Sequence, residues 1–70
     1  MNEFFKVFEI LKAKNPNIGI CLSKEPDKAF YRLRVVANGK EIFDVMGSDL
    51  TLLFRNGYGK LQVHRKELVG

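Results

Sequence analysis

A chain of 70 residues that is 46% apolar, 11% aromatic and 29% charged is too short for two cores and too rich in Phe, Ile, Leu and Val to stay disordered. One cysteine and one histidine exclude an internal disulfide and a zinc set, so the core alone is expected to supply roughly 3–5 kcal/mol of net stability. Twelve Lys and Arg against eight Asp and Glu leave a net charge of +4, which favours acidic partners over basic ones.

From Asn2 to Lys14 the residues Phe4, Val7, Phe8 and Leu11 recur at helical spacing, with Phe5 and Ile10 widening the stripe. The pattern predicts an amphipathic helix. Asn2 is placed to cap it, Glu3 and Lys12 or Lys14 suit the charges of its two ends, and Asn15-Pro16 stops it. Ile18 to Lys24 then alternates as a strand does, with Ile18, Ile20 and Leu22 on one face and Gly19, Cys21 and Ser23 on the other. Glu25-Pro26-Asp27-Lys28 reads as a type I turn that returns the chain from Ala29 as an antiparallel strand. A four-residue loop pairs Leu22 with Tyr31, Ile20 with Leu33 and Ile18 with Val35.

Asn38-Gly39 marks the next turn and offers two registers. A two-residue type I′ loop sets Leu33 opposite Asp44. A three-residue loop, Ala37-Asn38-Gly39, sets Leu33 opposite Phe43, Tyr31 opposite Val45 and Arg32 opposite Asp44, and is preferred because it buries no carboxylate.

Beyond Met46-Gly47, Ser48 to Arg55 reads as a two-turn helix, with Ser48 as cap, Leu50, Leu53 and Phe54 on one side, and Gly57 as its left-handed terminator beside Tyr58. The competing reading is a strand through Leu50, Leu52 and Phe54 that turns back at Asn56-Gly57-Tyr58-Gly59, which sets Arg55 against Lys60. Lys60 to Arg65 reads as a last strand either way, and Lys66 to Gly70 as a fraying tail. The expected architecture is therefore one small α+β domain, order α-β-β-β-α-β, with a three- to four-stranded antiparallel sheet. The first helix is expected to pack on Ile20, Leu22, Tyr31, Leu33, Phe43 and Val45.

The start of the chain lacks a basic segment followed by an unbroken apolar run, and no stretch approaches the length of a membrane span. With the free thiol of Cys21, this points to the cytoplasm. No hydrolase, metalloprotease, redox or phosphate-loop motif is present. Of the one Cys, one His, Ser23, Ser48 and eight carboxylates, Cys21 and His64 are the pair weighed as nucleophile and base, and each has a plainer explanation, a packed thiol and a solvated imidazole. No catalytic residue, metal site or cofactor is assigned, and the expected function is binding.

The face of the hairpin turned away from the first helix carries Phe30, Arg32, Arg34 and Val36 beside Ile42, Asp44 and Met46. That is more apolar than a solvated face needs. Three readings compete for it. A second helix or last strand covers it while the arginines reach water; or it is a protein interface, a homodimer surface included; or it binds nucleic acid. In the third reading Phe30 or Tyr58 stacks on bases, and Arg32, Arg34, Arg55, Lys60, Arg65 and Lys66 meet phosphates. The basic balance favours nucleic acid. The helix and three strands resemble the opening of the double-stranded-RNA-binding domain, without the Lys- and Ala-rich final helix that carries that domain's phosphate contacts. In layout the chain is also similar to compact phage-encoded inhibitor proteins, which implies an inhibitor or regulator as the alternative role.

Overall fold

The structure, a computed structural model, describes residues 2–69, with side chains from Glu3 onward. Its elements are α1 (Asn2–Lys14), β1 (Ile18–Lys24), β2 (Tyr31–Ala37), β3 (Lys40–Gly47), α2 (Leu50–Val63) and α3 (Arg65–Val69). The strands form one antiparallel sheet in the order β1-β2-β3. All three helices lie on one face of it, α2 against β3 and β2, α3 against β2 and α1, and α1 against α2. The class is α+β, as expected, but the order is α-β-β-β-α-α.

In α1 the central part of the predicted stripe is buried, with Phe4, Phe8 and Leu11 in the core and Val7 packed beside it, whereas Phe5 and Ile10, expected to widen it, are exposed. Glu3 stands in its first turn and Lys12 and Lys14 in its last, as the helix dipole favours. The Asn2 cap lies outside the described side chains.

β1 occupies the expected residues, whereas β2 starts at Tyr31 instead of Ala29. The turn itself forms where predicted, Lys28 N donating to Glu25 O at 3.1 Å, but Ala29 and Phe30 run on outside the ladder. The register therefore moves by two: Leu22 meets Leu33, Ile20 meets Val35 and Ile18 meets Ala37. A slip of two keeps every side chain on its own face, so apolar alternation cannot tell these registers apart.

At the second turn the rejected loop is the one adopted. Ala37 pairs with Lys40, and Asn38 and Gly39 both take positive φ, 54° and 78°, the requirement of a type I′ turn. The carboxylate is nevertheless not driven into the core. Pairing jumps from Val36↔Glu41 to Val35↔Phe43, leaving Ile42 as the extra residue of a β-bulge, and Leu33 then meets Val45 while Arg34 meets Asp44. One unpaired residue has reset the phase of the strand.

The largest departure follows β3. Asp49, not Ser48, caps α2, its carboxylate accepting from the N–H groups of Thr51 and Leu52 at 2.7 and 3.4 Å. The helix passes through both glycines to Val63, so Gly57 is not a terminator and neither the last strand nor the strand alternative for 50–54 exists. Leu50, Leu53, Phe54, Tyr58 and Leu61 form one stripe at helical spacing, and Leu53, Phe54, Gly57 and Leu61 are buried. Burial of that stripe outweighs two glycine penalties of about 1 kcal/mol each. Gly57 sits where α1, α2 and β2 converge: a Cβ there would lie 3.0 Å from Leu33 and 3.1 Å from Phe4. Gly59 has open space at the same position. Gly59→Ala is therefore expected to raise stability by about 0.5–1 kcal/mol, read as a higher urea midpoint with an unchanged slope.

The predicted fraying tail is α3 for residues 65–69, and its Leu68 is wholly buried. Asn15 ties this end of the chain to the first helix, with Nδ2 donating to Leu68 O at 2.7 Å and Oδ1 accepting from Asn17 N at 3.1 Å. The helical layer sits over β2 and β3. Of the expected core, Leu33 and Phe43 are buried, Ile20, Tyr31 and Val45 pack at the margin, and Leu22 stays 47% exposed. No helix among the described residues is long and apolar enough to cross a membrane.

Candidate functional site

The helices leave the other face of the sheet open. Strand alternation places Gly19, Cys21 and Ser23 of β1, Arg32, Arg34 and Val36 of β2, and Asp44 and Met46 of β3 on it. Among the described residues no helix or further strand covers this face, against the covered reading. At the end nearest the β1–β2 loop it dips into a cleft of about 260 Å³ lined by Ser23, Lys24, Glu25, Lys28, Phe30, Arg32, Arg34 and Met46.

Charge in the cleft is unevenly matched. Arg32 Nε donates to Asp44 Oδ2 at 2.9 Å, a diagonal pair where the sequence suggested a direct one. Lys28 approaches Glu25 at 3.9 Å and lies 5.8 Å from the centre of the Phe30 ring. Both pairs are exposed enough to add little stability. Arg34, midway along the central strand, has no carboxylate partner among the described residues. Its Nη2 is 4.0 Å from Cys21 Sγ, and its Nε is shielded from solvent without an acceptor. An unpaired, desolvated N–H costs about 1–3 kcal/mol until an acceptor reaches it.

The predicted site residues divide into three groups. Phe30, Arg32, Arg34 and Met46 come together in the cleft. Arg55 and Lys60 lie just around the β3 edge, sharing with Met46 and Val63 a second groove between β3 and α2. Tyr58, Arg65 and Lys66 are not part of either. Tyr58 lies beside Glu3, Phe4 and Phe54, and Arg65 and Lys66 belong to α3 near Lys14, with Arg65 Nη1 donating to Gln62 at 3.2 Å. Ile42 is a correction of another kind: as the bulge residue it packs against the core. Ser23, Lys24 and Lys28 were missed, because the cleft is completed by the six-residue loop at 25–30 and the sequence suggested a shorter one.

Cys21 and His64 do not meet. Cys21 is exposed on the open face, while His64 stacks on Phe43 of the covered face at 5.4 Å and contacts Glu67 at 2.9 Å. The final helix that the resemblance to double-stranded-RNA-binding domains lacked is present in position, but its first residues are Leu50, Thr51, Leu52 and Leu53, none of them basic. No family model, curated protein or solved structure matches this chain.

Proposed function

We propose that this chain is a single, non-catalytic binding domain whose open sheet face takes the phosphate backbone of a nucleic acid. Arg34 carries the reading: a guanidinium at the centre of the face, with Nε lacking an acceptor, in a cleft where Lys24, Lys28, Arg32 and Arg34 outnumber Glu25. Phosphate oxygens are the acceptors a planar guanidinium suits best. Phe30 on the rim offers a ring to a base, and Arg55 and Lys60 prolong the cationic track past Met46. A cytoplasmic setting suits the exposed thiol of Cys21. A second reading, a protein-interaction module or inhibitor, rests on Met46, which is 57% exposed, beside the exposed Phe30.

Titrating labelled protein with mixed-sequence oligonucleotides, single- and double-stranded, is expected to shift the amides of Lys24, Phe30, Arg32 and Arg34 at low salt. The shifts should fade as salt rises. Arg34→Ala is expected to weaken binding and reduce the salt slope by about one phosphate contact, 0.7–0.9 in log units, with the domain still folded and melting no lower than wild type. An amide spectrum that does not move at low salt overturns the reading. Capture of a protein partner lost on Phe30→Ala or Met46→Ala, and indifferent to salt, would put the second in its place.

A further inference from the structure

β1 is an edge strand, with β2 on one side and no strand among the described residues on the other. Asn38 N donates to Asn17 O at 3.0 Å, just ahead of the β1–β2 ladder, and this sets the phase of the backbone groups that follow. In an antiparallel ladder the residues that bond a given neighbour alternate. Gly19, Cys21 and Ser23 therefore turn their N–H and C=O toward β2, and Ile20, Leu22 and Lys24 turn theirs to the open edge. Ile18 agrees with this phase, since its N–H bonds Asn15 O and not β2.

Edges of this kind are normally blocked by a proline, a bulge, charged side chains or a covering element. β3 has several of these: the bulge at Ile42, the charges of Lys40, Glu41 and Asp44, and the flank of α2 beside Val45 and Met46. β1 has only Lys24, the last residue of its span. Its sequence, Ile18-Gly19-Ile20-Cys21-Leu22-Ser23-Lys24, contains no acid or proline, and its one charge is at the end.

We infer that two copies of this chain join antiparallel through β1, about a two-fold axis at Cys21, into a continuous six-stranded sheet. In that register Ile20 of each copy faces Leu22 of the other, and Ile18 faces Lys24. The residues paired across the axis are those whose backbone groups point outward, giving about six hydrogen bonds. The half-exposed Leu22, which the helical layer leaves bare, is covered by Ile20 of the second copy. On the open face only Gly19, Cys21 and Ser23 meet, so nothing bulky or charged collides. The two Lys24 side chains fall about 20 Å apart, at opposite ends of the seam. This joint is independent of the phosphate reading, and the two respond to salt in opposite senses. Two chains of net charge +4 associate better as salt screens them, whereas phosphate binding weakens.

The test is sedimentation of the intact chain from micromolar to millimolar concentration, with the same series for Leu22→Lys and Leu22→Pro. The wild type is expected to pass from monomer to dimer, more readily at higher salt, and both variants to dimerise at least about tenfold more weakly with unchanged circular dichroism. Should the proline variant unfold, the lysine variant still decides, since Leu22 already reaches water. Mild oxidation is expected to link wild-type copies through Cys21, because opposed residues of a non-hydrogen-bonded pair have Cα atoms about 4.5 Å apart, within disulfide reach. A wild type that stays monomeric throughout, or a dimer that neither substitution weakens, overturns the inference.

Discussion

Leu68→Ala is expected to leave the chain largely unfolded at room temperature. Leu68 is wholly buried in a helix of five residues, too short to persist without the contacts that this side chain makes. Truncating a leucine at such a site costs about 2–5 kcal/mol, as much as the roughly 3–5 kcal/mol a domain of this size has available. α3 would detach from β2 and α1, and Asn15 would lose the carbonyl it holds at 2.7 Å. Urea titration followed by circular dichroism reads the result, with the exposed Lys66→Ala on the same helix expected to stay within about 0.5 kcal/mol of wild type. Equal midpoints for the two variants would mean that α3 is not part of the cooperative unit.

The second large effect is expected at Gly57. Leu33 and Phe4, the side chains a Cβ there would meet at 3.0 and 3.1 Å, are themselves buried in the core and have no solvent to retreat into. Valine at this position adds three carbons to that contact, and overpacking of this kind costs about 1–3 kcal/mol. The gain in helix propensity over glycine, a few tenths of a kcal/mol, does not offset it. In a domain of this length each kcal/mol moves the melting temperature by about 4–8 °C. Gly57→Val should therefore melt about 10 °C or more below wild type, while Gly59→Val, placed in open space on the same helix, should not. Matching melts for the two would show that α1, α2 and β2 approach less closely at this point.

The elements whose signal is local were legible in the sequence. The 3.6-residue spacing of Phe4, Phe8 and Leu11 and the alternation from Ile18 to Lys24 each state their structure within a few residues, whereas the Asn38-Gly39 turn was located but given the wrong loop, because the bulge at Ile42 that keeps Asp44 off the core has no local signature. What failed depended on distant partners. The β1–β2 register turns on a loop two residues longer than expected, which leaves the faces unchanged. Gly57 was read as a stop because glycine so often ends a helix, yet its role is to let Phe4 and Leu33 close in. The stripe from Leu50 through Phe54 and Tyr58 to Leu61 ran straight past it and could have corrected the reading. The candidate face was found in part. Arg32, Arg34 and Met46 follow from strand alternation alone, while Tyr58, Arg65 and Lys66 were included for their chemistry and lie on elements that carry them elsewhere.

The bulge at Ile42 also says which length changes this hairpin can survive. Deleting Ile42 would remove the one residue the ladder skips, so Glu41 would still meet Val36, Phe43 would still meet Val35 and Asp44 would still meet Arg34, each on its present face. Drawing Ile42 into the ladder is the damaging change, since it would set Phe43 opposite Arg34 and Asp44 opposite Leu33, on the buried side. The hairpin is therefore built to tolerate the loss of one residue at the bulge, where β3 has one more residue than its partner strand. Divergent forms of this chain are thus free to shorten β3 at this one point without a matching change in the turn, losing only the packing of Ile42 against the core.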